Sequence, residues 1–143
     1  MVVDGRTEFV GTDLGKAAKV ITEAAKIQKA KVEIALSEDK ISVKIAALPD
    51  HETANVFLAI AEDNLVSNIA RGENSGKTLE HQSVVRELKS IGMLKSTEKS
   101  AEISAVLTLA QNWKREKLKI VVFVQENESR KVLGVGRIAL EGK

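Results

Sequence analysis

The chain has no cysteine, no tyrosine, a single proline (Pro49) and only four aromatic residues, Phe9, Phe57, Trp113 and Phe123. Without cysteine there are no disulfides, no thiolate nucleophiles and no thiolate metal sites, so the chain is not a thiol-disulfide oxidoreductase. The absence leaves the compartment open, because it fits oxidising and reducing surroundings alike. With aromatics at 3%, the core has to be built from Val, Ile, Leu and Ala, and exposed stacking platforms for single-stranded nucleic acid are missing. Charge of one sign is also lacking. Lys and Arg total 22 against 20 for Asp and Glu, interspersed to a net +2, which is not the sustained basic field that phosphate backbones require. The longest apolar run, Val56 to Ala61, falls far short of the roughly 20 residues that span a bilayer. Asp4, Arg6 and Glu8 interrupt the N-terminus before a signal-peptide core could form. These absences predict a soluble chain with neither nucleic acid nor membrane as partner.

What is present is alternation. At 143 residues the chain can close one hydrophobic core, or one core plus a short appendage. Val2-Val3 runs into Asp4-Gly5, a tight-turn dipeptide, and returns through Thr7 to Val10, which reads as a hairpin. Thr12 offers a cap, and Leu14, Ala17, Ala18, Ile21, Ala24 and Ala25 recur at helical spacing, predicting a helix over 13–29. From Val32 the period becomes 2: Val32, Ile34 and Leu36, then Ile41, Val43 and Ile45, form a hairpin that is wet on one face. Residues 55–62 and 65–71 are expected to pair across Asp63-Asn64, and Val84, Val85 and Leu88 to lie in an extended, twisted strand. Ala101 to Leu109 alternates, and Ile120–Val124 with Val132–Leu140 closes a terminal hairpin. Gly134 and Gly136 lack the third glycine and the helix of a dinucleotide site, and read as strand positions where another backbone comes close. The expected fold class is α+β: a mainly antiparallel, sandwich-like domain of six to eight strands at 30–143, preceded by a hairpin and one helix at 1–29.

Several motifs carry candidate chemistry. Gly72 to Thr78 (GENSGKT) ends like a phosphate-binding loop, but three residues separate its glycines where four are needed, and Glu73 would point into the cradle. It reads as a surface loop. His51, beside Pro49, reads as a solvated turn residue. His81 sits in Glu80-His81-Gln82-Ser83 ahead of Arg86-Glu87; a histidine, a serine and carboxylates could serve hydrolysis or isomerisation, yet no Gly-x-Ser-x-Gly surrounds Ser83. Metal binding by His81, Glu80 and Glu87 needs ligands that the segment alone does not supply. Trp113, with Lys114, Arg115, Lys117 and Lys119, could grip an anionic or carbohydrate ligand; the plainer reading is an indole covering the open end of the sandwich, with a basic rim.

Two stretches carry a resemblance. Met1 to Asp13 (MVVDGRTEFVGTD) looks like the last strand pair and helix entry of a thioredoxin-like domain, and Arg71 to Leu88 (RGENSGKTLEHQSVVREL) is similar to the most recognisable run of a bacterial family of secreted thioredoxin-like proteins of unknown function (family 1223). The segment from Trp113 to Leu140 also resembles that family's final strands. The resemblance implies a secreted or periplasmic setting and a Cys-containing N-terminal half. That half is not in this sequence, so no thiol chemistry carries over.

The function expected from this reading is a non-catalytic, β-rich accessory or interaction domain. Its polar site at 72–87 would bind a protein or small polar ligand through Glu73, Asn74, Lys77, His81, Arg86 and Glu87. The alternative is a hydrolase-like or metal-dependent enzyme centred on His81, with Glu80 and Ser83. No cofactor and no metal site are expected. A hairpin and one helix cannot bury their own apolar stripe, so a homo-oligomer is expected to cover them.

Overall fold

The alternating segments fold as the period demands. A computed structural model describes residues 1–141. The hairpin β1 (Val2–Val3) and β2 (Thr7–Glu8) turns on Asp4 and Gly5, both at positive φ (58° and 72°). Helix α1 spans Leu14–Ala25, shorter than the expected 13–29. Its cap is Asp13 rather than Thr12: the Asp13 carboxylate accepts from the Lys16 N–H at 3.0 Å. Nine strands follow: β3 (Lys31–Ser37), β4 (Lys40–Ala46), β5 (Ala54–Glu62), β6 (Leu65–Asn68), β7 (Thr78–His81), β8 (Val84–Leu94), β9 (Ala101–Val106), β10 (Leu118–Glu126) and β11 (Val132–Ala139).

Two antiparallel sheets make the sandwich. One has the order β11-β10-β5-β8 and the other β3-β4-β9. Ile41, Val43 and Ile45 of β4 face Val56, Leu58 and Ile60 of β5 and Ile120, Val122 and Val124 of β10, all of them buried. Each such side chain withdrawn from water contributes roughly 1.5–3 kcal/mol. Trp113 is half-buried against this core, as the covering role predicts. The inner face of β11 carries Gly134 and Gly136, and there β3 packs directly on the backbone. A Cβ on Gly134 would sit 2.7 Å from the Ala30 carbonyl oxygen, and one on Gly136 would sit 2.6 Å from that of Val32. The close approach expected of these glycines is therefore what they provide.

One expected pairing is wrong. Residues 55–62 and 65–71 do not pair with each other: β5 pairs with β10 and β8, while β6 pairs with β7 alone. Asn64 does adopt a left-handed φ of 56°, but the chain continues outward there instead of folding back. Partners for β5 come from distant segments, because its inward face is apolar from Ala54 to Ile60 and belongs at the centre of a sheet.

Candidate functional site

The segment singled out in the sequence lies on a two-stranded arm. β6 and β7 extend beyond the β5–β8 pair, and every residue from Ala70 to Glu80 is exposed. At the tip, Gly72 and Gly76 take positive φ (91° and 80°) and the backbone amides turn onto the arm itself. Ser75 donates to the Gly72 carbonyl (3.0 Å), Gly76 to Ile69 (2.7 Å) and Lys77 to Asn74 (3.1 Å). Those N–H groups are spent, and a strand rather than a helix follows, so the loop cannot cradle phosphates. Lys77 Nζ donates to Asn74 Oδ1 at 3.2 Å.

His81 ends β7 opposite Leu65, and its Nε2 is hydrogen-bonded to Ser67 Oγ on the neighbouring strand. Glu80 is paired with Val66 on the opposite face of the ribbon. Strand alternation would have put His81, Ser83 and Val85 on one face, but it fails here. Ser83 adopts φ 55° between β7 and β8, and this left-handed residue turns its side chain away from His81. Ser83 instead joins the root of the arm: its N–H and Oγ donate to Asp63 Oδ1 at 2.7 and 3.0 Å. Lys119 Nζ completes the cluster, at 2.9 and 3.0 Å from the two Asp63 oxygens and 2.6 Å from Ser83 Oγ. The hydrogen bond from Lys119 is the main reason the Asp63 carboxyl is held below the usual carboxylate range; partial burial opposes it, and the Ser83 donors add to it.

Beside this cluster, Arg86 Nε donates to Glu62 Oε2 at 2.7 Å, and the Glu62 carboxylate is 2% exposed. Its other oxygen meets the Lys114 N–H at 3.4 Å, tying the arm root to the Trp113 loop. Gln82 Nε2 donates to Asn64 Oδ1 at 2.8 Å and Lys117 Nζ to the Asn64 carbonyl at 3.2 Å. Glu87 faces Lys89 at 3.7 Å. The candidate residues thus divide into a tip (Glu73, Asn74, Lys77), a Ser67–His81 pair with Glu80 on the opposite face, Glu87 beside Lys89, and a root holding Ser83 and Arg86. Sequence reasoning missed Glu62, Asp63, Asn64 and Ser67. A signal for Glu62 did exist, since a carboxylate in phase with Val56, Leu58 and Ile60 points inward and demands a cation.

Among the described residues, no three His, Asp or Glu side chains converge as metal ligands, and His81, Glu80 and Glu87 do not meet. His51 is tied down structurally, its Nε2 donating to the Glu98 carbonyl at 2.8 Å. Among the described residues no helix is long and apolar enough to cross a membrane.

Residues 1–125 match the model of the family described as protein of unknown function, DUF1223, and the chain belongs to that family. The absence of cysteine rules out thiol-disulfide oxidoreductase chemistry in this chain. No curated protein matches it. A crystal structure of an Agrobacterium tumefaciens protein is similar in fold, with TM-score 0.67 and 16% identity over 98% of this chain and 60% of that one. The chain therefore spans about three fifths of that protein's length. A domain of the outer membrane lipoprotein Omp28 from Porphyromonas gingivalis is also similar, with TM-score 0.45 and 16% identity over 80% of this chain and 90% of that one.

Proposed function

We propose that the chain is a non-catalytic interaction domain in which 30–143 forms a β-sandwich scaffold and 1–29 a docking unit. The segment 72–87 binds a protein or a small polar ligand through Glu73, Asn74, Lys77, His81, Arg86 and Glu87. The secreted or periplasmic setting is the one the family resemblance implies. The observation that carries this reading is the arm. An isolated two-stranded ribbon is marginal in water, yet here one is held out from the sandwich by a polar clasp at its root, with exposed side chains throughout its tip. Structure that contributes nothing to the core is explained by what it contacts. A second copy of the chain covers the hairpin and helix, because no residue of α1 is buried.

Replacing residues 70–77 with a two-residue turn tests the arm. The expected result is an unfolding free energy from urea titration within about 0.5 kcal/mol of the parent chain; unfolding of the sandwich would make the arm structural and remove the interaction reading. The catalytic alternative rests on the Ser67–His81 hydrogen bond. A fluorophosphonate, which labels activated serines, is expected to leave the mass of the chain unchanged. Labelling at Ser67 or Ser83 would replace the binding reading with a hydrolase.

A further inference from the structure

We propose that α1 pairs antiparallel with the α1 of a second copy about a two-fold axis passing between Lys19 and Val20. This rests on the reading that a second copy covers the N-terminal unit. The helix shows two apolar stripes. Ala17, Val20 and Ala24 are half-buried towards the hairpin, and Val20 and Ala24 line a cleft of about 370 Å³ with Val3. The second stripe, Leu14, Ala18, Ile21 and Ala25, is exposed, with Leu14 at 77% and Ile21 at 47%. Its four-three-four spacing is that of a helix-pairing seam, and it carries no charge.

The order of sizes along the seam selects the partner and the direction. It runs large, small, large, small. About the proposed axis, Leu14 meets the partner's Ala25, and Ala18 meets the partner's Ile21, so every large side chain faces a small one and the two helices keep one separation along their length. Parallel pairing would set Leu14 on Leu14 and Ala18 on Ala18, alternating clash with gap. The charges follow the same symmetry. Asp13 at the N-cap comes to the end of the seam where the partner's Lys26 lies, and Lys16 is mirrored by Glu23 further round the helix. Parallel pairing would superpose like charges at each of these positions. Antiparallel pairing also sets the positive end of each helix dipole beside the negative end of the other, which favours the same arrangement. A three-turn seam buries less than the roughly 1,200 Å² of a stable interface, so the dimer is weak and concentration-dependent.

The cysteine-free chain makes the test clean. Leu14→Cys and Ala25→Cys proteins are prepared separately, then oxidised alone and mixed, alongside sedimentation of the parent chain over a concentration series. Residues 14 and 25 lie about 16 Å apart along a helix, well beyond disulfide reach. The expected result is a disulfide-linked dimer in the mixture, little or none from either protein alone, and a parent chain whose sedimentation coefficient rises with concentration. Self-linking of Leu14→Cys would overturn the antiparallel register while leaving self-assembly intact. A dimer with no cross-link in any sample would overturn the helix as its interface. A monomer at every concentration, with no cross-link, would overturn both the register and the assembly reading.

Discussion

Replacing Gly136 with alanine adds one methyl group where the sandwich closes. Its Cβ would lie 2.6 Å from the Val32 carbonyl oxygen and 3.1 Å from Val32 Cγ1. The first contact is backbone of β3, held in register by β4 from Lys31 to Ser37, so it cannot be relieved by a side-chain rotation. Forcing a methylene into a packed interior costs about 1–3 kcal/mol, and a rigid backbone neighbour places this site in the upper half of that range. Reduced freedom of the unfolded chain returns about 0.4–1 kcal/mol, leaving a net loss of about 2 kcal/mol. Gly134→Ala meets the Ala30 carbonyl at 2.7 Å and is expected to behave alike. Two controls bracket the effect. Gly92→Ala meets only the end of the Ile103 side chain at 2.8 Å, and Gly11→Ala meets nothing within 4 Å. The first is expected to cost about 1 kcal/mol or less, and the second to stay within about 0.5 kcal/mol of the parent. Urea unfolding followed by the fluorescence of Trp113, the single indole and half-buried against the core, reads all four variants. A Gly136→Ala protein as stable as Gly11→Ala, with an unchanged denaturant slope, would refute the direct packing of β3 on β11.

Arg86→Ala leaves the buried Glu62 carboxylate with one long contact, to the Lys114 N–H, and is expected to destabilise by about 3 kcal/mol. The paired change Glu62→Leu with Arg86→Met is expected to be neutral or stabilising in the same urea assay, because it removes the buried Glu62 carboxylate together with the partly exposed cation that neutralises it. Asp63 supplies a pH dependence. Its carboxyl is held below its unfolded value by Lys119. The ion pair therefore adds stability that is complete above the unfolded carboxylate pKa of about 3.9 and is lost as pH falls through the lower folded value. Asp63→Asn is expected to flatten the stability profile below about pH 4 and leave its slope between pH 5 and 7 unchanged, as measured by urea midpoints across that range.

Local alternation was enough to locate β3, β4, β9, β10 and β11. The period-2 runs at Val32–Ile45, Ala101–Leu109, Ile120–Val124 and Val132–Leu140 overlap these strands, although β9 stops at Val106 and β10 already begins at Leu118, because a half-buried strand must place apolar residues on one face. Asp4-Gly5 was legible for the same reason, since its turn depends on two adjacent residues. The absence of cysteine settled one question of chemistry outright. Pairing was legible where a local turn joins the strands, as in β1–β2, β3–β4 and β10–β11, and not where the partners are distant. β5 read equally well as a hairpin partner of its successor, and only the supply of distant apolar strands placed it between β10 and β8. Likewise, the sequence placed His81 and Ser83 in alternation, and the left-handed φ of Ser83 sent one to Ser67 and the other to Asp63 and Lys119. The sequence by itself determined the local conformations and the composition of the core. The tertiary structure alone decided strand order, the pairing of buried Glu62 with Arg86 and the outward course of the arm, because those depend on groups up to 72 residues apart, as in Ala54 of β5 opposite Glu126 of β10, meeting in space.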